Sequence, residues 1–296
     1  VSAQAVEPRD AWITPDMFHT SSRLRHVEGW LRALPRPLSE AILATVAVSD
    51  AFLHPRRFRR ARAWAAAQPG SRRAPWRLAL ALLANHGRFC GDEALVGRSS
   101  WTTLRRETVL EGAENLPVRE GAILLGFHLG PPRTWLRLRA LGYPVRMAGD
   151  LVTSVRDTRW APVIEARDVV RLAGKPRERL AGLHQIRGLV RQGALVYLTA
   201  DGPAGREGFR IDLPGEPLVL RQGWLALRRL AHVPTVPVLA HRRGNRYVIT
   251  VHPALPPSRS DPDADIGLCR AVLAPLVEAY VRQFPEQCRY LAFPLV

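Results

Sequence analysis

The chain of 296 residues is nearly without lysine: 43 of its residues are basic, and Lys175 is the one lysine among them. It is also poor in acids, with 26 Asp and Glu, which leaves a net charge of +17 and a pI near 11.3. A GC-rich coding sequence accounts for arginine over lysine but not for base over acid. The excess points to an acidic partner: nucleic acid, an anionic membrane surface, or an acidic protein or ligand. Arginine, with its planar fork of donors, suits phosphates and carboxylates. Cysteine is scarce as well. Cys90, Cys269 and Cys288 are odd in number and far apart. They exclude a disulfide framework and a zinc-type spacing and read as free thiols in a reducing compartment. No metal site is expected.

Long apolar runs are missing too. A bilayer span needs about 20 apolar residues. The nearest approach, 38–53, is interrupted by Ser39, Glu40, Ser49 and Asp50. Glu7 and Asp10 stand where the apolar core of a signal peptide would run. Either the protein is soluble or an anchor precedes the first residue, and the sequence does not choose between them. The helix-turn-helix, zinc and aromatic RNA-binding signatures are absent, so no nucleic acid partner is expected. Absent as well are the G-x-S-x-G elbow, H-E-x-x-H, the Walker loop and the dinucleotide fingerprint.

What is present is a globular composition, 47% hydrophobic and 23% charged, with two styles of patterning. Residues 1–115 read as a helical region. Segments 41–52 and 76–89 are rich in Ala and Leu, and Pro35, Pro37, Pro55, Pro69 and Pro75 set their limits. Within it, Arg56, Arg57, Arg59, Arg60 and Arg62 are interleaved with Phe58 and Trp64, as a solvated basic face or as a face that docks on an anionic surface. Residues 116–296 read as an α/β core, continuous with the helical region as one domain. Apolar runs at 122–127, 143–148, 168–172, 194–199, 235–239 and 247–251 predict strands. Helices are predicted at 133–141, 179–192, 220–231 and 265–282. Alternating strands and helices imply a mixed, largely parallel central sheet flanked by helices, with antiparallel edges at the C-terminal pair.

Chemistry is expected beyond the strand ends. His128 follows the first apolar run in Gly126-Phe127-His128-Leu129-Gly130, and ligands in parallel sheets bind past the carboxyl ends of strands. It is either a general base or a histidine satisfying the strand terminus. The run Asp201-Gly202-Pro203-Ala204-Gly205-Arg206 follows another strand, as an anion cradle or as a plain turn. His241 and Arg242 lie close to a third strand end and are candidates for the same face.

The order of these segments resembles the lysophospholipid acyltransferase superfamily. It is most similar to the late lipid A (lauroyl/myristoyl) acyltransferase branch, whose chains often end in a segment like Phe284-Pro285-Glu286-Gln287. The resemblance spans roughly residues 20–290. It implies a His-x4-acid motif in which the histidine deprotonates an acceptor that attacks an acyl thioester. Here His128 matches the base, but Arg133 stands in the acid's place, which would disfavour the imidazolium formed in catalysis. Asp150 and Asp201, at later strand ends, are the candidates to replace the acid.

The resemblance therefore implies an acyltransferase with His128 and Asp201 as catalytic residues and Gly130, Arg133, Gly202, Arg206, His241 and Arg242 as substrate-binding residues. It has no permanently bound cofactor. An acidic acyl carrier protein or coenzyme A thioester is the donor, and a hydroxyl or amine is the acceptor. Its place is cytoplasmic or peripheral at the inner membrane face. The alternatives are the same fold acting on a carrier-tethered metabolite without acyl transfer, by cyclisation or elimination, and a non-catalytic partner protein.

Overall fold

The computed structural model describes residues 31, 33–69, 73–96, 99–149, 169–172, 176–201 and 207–293. From Arg36 on, the described residues run through the helices α1 (Arg36–Leu53), α2 (Pro55–Ala66), α3 (Pro75–Val96) and α4 (Trp101–Glu107). Then follow β1 (Thr108–Glu111), β2 (Ala122–Gly126), α5 (Thr134–Ala140), β3 (Val145–Gly149), β4 (Val169–Arg171), α6 (Pro176–Arg191) and β5 (Leu195–Thr199). The chain continues through β6 (Glu207–Ile211), β7 (Leu218–Arg221), α7 (Gln222–Ala231), β8 (Thr235–Arg243), β9 (Arg246–Val251), α8 (Pro262–Gln283) and the short α9 (Arg289–Ala292).

Seven strands form one sheet in the order β1-β9-β8-β2-β5-β3-β4, and β6 and β7 form a separate antiparallel ribbon. Every pairing in the large sheet is parallel except β8 with β9. The fold is thus the mixed, largely parallel α/β architecture that the alternating pattern implies. The strand pattern explains the layering. In β2, Ile123 and Leu125 join the core of one sheet face, and Ala122 and Leu124 that of the other. In β5, Val196 and Leu198 go one way, Leu195 and Tyr197 the other. A strand buried on both faces needs no polar alternation, which is why these segments read as continuous apolar runs. Leu82, Val190, Trp224 and Val277 of α3, α6, α7 and α8 cover the first face. Leu104 of α4 and Trp135 and Leu138 of α5 cover the second.

Three expectations change. The sheet already begins at Thr108, inside the stretch read as helical, because four residues are too few to show a period. The antiparallel pair is not at an edge, since β1 adds to β9 in parallel. Leu220, placed on a helix by its spacing to Trp224, belongs to β7.

Buried charge ties the helices to the sheet. Asp92 of α3 is fully buried, and its Oδ1 accepts hydrogen bonds from Arg36 Nη2 at 2.5 Å, Arg137 Nη2 at 2.9 Å and the Tyr247 hydroxyl at 2.9 Å. Glu107 pairs with Arg36, and Glu40 with Arg242. The Arg137 guanidinium lies 3.2 Å from the centre of the Tyr247 ring. Burial and then the Asp92 carboxylate raise the Tyr247 pKa, so its hydroxyl keeps its proton and donates. Such a cluster resists the loss of any one member, because each loss strands a buried charge.

The cysteines are free and buried, and burial pushes the Cys269 thiol up to about 11. His86 is buried beside Cys90, and burial, followed by Arg289 and Arg57, holds its pKa well below the usual value. A histidine kept neutral in the fold but free to charge when unfolded favours the unfolded chain in acid. Its stabilising effect is complete above the unfolded pKa of about 6.5 and lost as pH falls, by up to about 1.4 kcal/mol per pH unit. His86→Asn is expected to flatten the decline in denaturation midpoint between pH 7 and pH 5. An unchanged slope would show that His86 does not carry this dependence.

Candidate active site

Parallel register builds the centre of the site. β2 and β5 pair with a constant offset, Ala122 with Leu195 through to Gly126 with Thr199. Carried two residues past both strand ends, the same offset sets His128 beside Asp201. The Ala200 amide still donates to the Gly126 carbonyl at 2.9 Å. The Asp201 carboxylate accepts the His128 backbone N–H at 2.9 and 3.0 Å and meets His128 Nδ1 at 3.0 Å. Because an ionised carboxylate only accepts, the neutral ring is held with its proton on Nδ1 and its lone pair on Nε2. The Asp201 side chain is 3% exposed and that of His128 28%: the acid is enclosed and the ring reaches the cavity.

That cavity is lined by His128, Leu129, Asp201, Glu216, Pro217, Leu218, Val219, Arg221, Tyr290 and Leu291. One wall is the β6–β7 turn and β7, and another is α9. The Tyr290 ring stands edge-on to the imidazole, with centroids 5.6 Å apart and planes at 89°. The buried Arg289 holds it through Nη2, which donates to the Tyr290 hydroxyl at 2.7 Å. Leu218, Val219 and Leu291 are apolar, and Arg221 supplies a cation. A carboxylate-held imidazole with a free ring nitrogen, open to a half-apolar cavity, is an arrangement for general base catalysis.

The other candidates fall out differently. Asp150, Gly202 and Arg206 lie outside the described residues. Arg133 caps the start of α5 in the left-handed region, φ 63°, and does not line the cavity. His241 is buried in a stack on Phe284, with ring centroids 4.0 Å apart, and burial lowers its pKa. Arg242 pairs with Glu40, and its backbone is gripped by Gln287. The Arg242 amide donates to Gln287 Oε1 at 2.7 Å, and Gln287 Nε2 donates to the Arg242 carbonyl at 2.9 Å. Both residues sit outside the cavity, in the scaffold, because β8 runs on past β2, still paired with β9, and packs under the Pro285–Gln287 turn.

That turn also holds the histidine loop, since the Gly130 amide donates to the Gln287 carbonyl at 3.3 Å. Gly130 has φ 75°, and a Cβ there would lie 2.1 Å from the Ala240 carbonyl oxygen and 2.2 Å from the Tyr280 hydroxyl. Its glycine is needed for packing against β8 and α8, whereas the sequence assigned it to substrate approach. Gly130→Ala is expected to destabilise the chain by more than the roughly 1–2 kcal/mol of a left-handed non-glycine residue, because the clash is with backbone. A chemical denaturation curve checks this, and an unchanged midpoint would contradict the packing.

Three cavity residues were not legible as such. Glu216 precedes and Arg221 ends a ribbon strand whose role is invisible without the fold. Tyr290 lies just past the C-terminal segment that carried the resemblance.

The family described as bacterial lipid A biosynthesis acyltransferase matches residues 27–292. The chain belongs to that family. Membership makes this an acyltransferase-type protein and places the His128–Asp201 pair inside the matched region. A comparison with curated protein sequences finds no match. Among solved structures, the chain is similar to the 1-acyl-sn-glycerophosphate (LPA) acyltransferase PlsC from Thermotoga maritima. The identity is 15% over 83% of this chain and 97% of that one, with a TM-score of 0.42.

Proposed function

We propose that the protein transfers an acyl group from an acyl carrier protein or coenzyme A thioester to a hydroxyl or amine of a lipid-linked acceptor. His128 is the general base and Asp201 the residue that orients it. In the step, His128 Nε2 takes the acceptor's proton as the acceptor oxygen or nitrogen bonds to the thioester carbonyl carbon. The tetrahedral adduct then expels the carrier thiolate, to which His128 returns the proton. Asp201 keeps Nδ1 protonated and stabilises the transient imidazolium, which is the role of a triad acid. The Leu218, Val219 and Leu291 wall suits an acyl chain, and Arg221 suits a phosphate or carboxylate on either substrate.

The observation that carries this reading is the 3.0 Å contact of His128 Nδ1 with Asp201. It supplies a carboxylate from the end of the neighbouring strand β5 where the His-x4 position has Arg133. No resident cofactor is required. The basic surface suits an acidic carrier protein or coenzyme A as donor, and the place of action is the cytoplasmic side, at or near a membrane.

The test is a mass-spectrometric assay with acyl-carrier and acyl-coenzyme A thioesters and a lipid acceptor extract. Loss of thioester with a matching new ester or amide, absent in His128→Ala, supports the reading. Carrier binding without any thioester loss would overturn it.

A further inference from the structure

The cavity beside His128 runs against the charge of the whole chain. The net charge is +17, yet the charged residues that line the cavity are two carboxylates, Asp201 and Glu216, and one guanidinium, Arg221. Asp201 is engaged by the imidazole and the His128 amide. Glu216 is exposed at the rim and makes no ion pair or hydrogen bond among the described residues. Cations are not in short supply. Glu40, Asp50, Asp92 and Glu107 each hold an arginine, and the chain has 43 basic residues to 26 acidic ones.

The backbone holds Glu216 in place. It stands between Gly215 and Pro217, in a turn fastened to α2. Gly215 has φ 89°, and a Cβ there would lie 3.2 Å from the Trp64 ring and 3.3 Å from Ala67. Gln68 Nε2 donates to the Pro214 carbonyl at 3.0 Å. On the other side, a residue before proline is confined to extended backbone, so Glu216 leads stiffly into β7.

Arg221 ends the same strand. Its amide donates to the Ala200 carbonyl at 2.7 Å, next to Asp201. β7 therefore leads from a carboxylate at the rim to a guanidinium near the dyad, with the apolar Leu218 and Val219 between them. Extended chain covers about 3.3 Å per residue, which keeps the two charges apart.

We propose that Glu216 selects the acceptor, by pairing with a positive charge that the acceptor carries in addition to its attacking hydroxyl or amine. The inference rests on the acyl transfer proposed above and adds the acceptor's chemical class to it. The cation and the nucleophile are separate groups. A carboxylate seated on the attacking amine itself would favour its protonated form, which has no lone pair to give. An anionic headgroup is drawn toward the chain by its net charge but meets a like charge at the cavity's rim. A plain acyl chain would use Leu218 and Val219 and leave Glu216 without a role.

The test compares two acceptors of one shape: the hydroxypropyl hexyl dimethylammonium ion and the uncharged hydroxypropyl hexyl ether. The quaternary nitrogen cannot be acylated, so each probe has one nucleophile, its hydroxyl. With an acyl-coenzyme A donor, the unaltered chain is expected to favour the cation about three- to fivefold in kcat/KM, through KM, which is the upper range for an exposed ion pair. Glu216→Gln is expected to erase that preference and Glu216→Arg to reverse it. Glu216 is exposed, and circular dichroism checks that both variants fold. Salt at about 0.5 M is expected to shrink the preference. Calorimetric binding of both probes to His128→Ala, with and without Glu216→Gln, separates this inference from the acyl transfer. Tighter binding of the cation that depends on Glu216, with no thioester loss in the unaltered chain, would keep the inference and remove the transfer. Thioester loss with no preference for the cation, or with a preference that survives Glu216→Gln, would overturn the inference and keep the transfer. Equal binding of the two probes to His128→Ala, or binding of neither, would overturn it as well.

Discussion

Replacing His128 with alanine is expected to lower the rate of acyl transfer by about 10²–10⁴-fold, the usual contribution of a positioned general base. The fold is expected to hold. The Asp201 carboxylate is anchored by the His128 backbone amide, which the substitution keeps, and the ring projects into a cavity rather than into the core. KM for the thioester is expected to stay within a few-fold, because the loss falls on proton transfer rather than on ground-state contacts. Added imidazole is expected to restore part of the rate by entering the space the side chain leaves. A variant that turns over within a factor of a few of the unaltered chain would remove His128 from the chemistry.

Asp201→Asn is the second large effect, and it isolates the acid from the ring. The amide is the same size, and its oxygen still accepts the His128 amide. What changes is the partner of Nδ1. An Asn nitrogen facing the ring donates, so Nδ1 must accept and the proton moves to Nε2, where the reaction needs a lone pair. The wrong tautomer and the lost counter-charge together are expected to lower kcat by about 10²–10⁴-fold, as for the acid of a hydrolytic triad. The thermal midpoint is expected to move far less than in Gly130→Ala, whose clash is with backbone. An Asp201→Asn chain with undiminished kcat would mean that the carboxylate only ties down the loop.

Much of the site was legible because strands β2 and β5 are buried on both faces. Their apolar runs stand out, and the residues just past them, His128 and Asp201, could be named as candidates. That the two touch was not legible. It depends on β2 and β5 being neighbours in register, whereas β3 lies between them in sequence and outside β5 in space. For the same reason Asp201 and Asp150 could not be separated beforehand. Gly130, His241 and Arg242 were grouped with the substrate because they sit near strand ends. The structure uses them in packing, since the Pro285–Gln287 turn and α8 occupy that side of β8. Cavity residues from the ribbon and from α9 carried no pattern, because a four-residue element has too few positions to repeat.

The most direct test of the account is a double-mutant cycle at the two ends of the 3.0 Å contact. It measures kcat for acyl transfer in the unaltered chain, His128→Ala, Asp201→Asn and the combination. If Asp201 acts through His128, removing the acid from a chain that already lacks the ring changes little, and the double variant matches His128→Ala within a few-fold. If the two losses multiply, the residues act independently, and the dyad reading of this site is wrong.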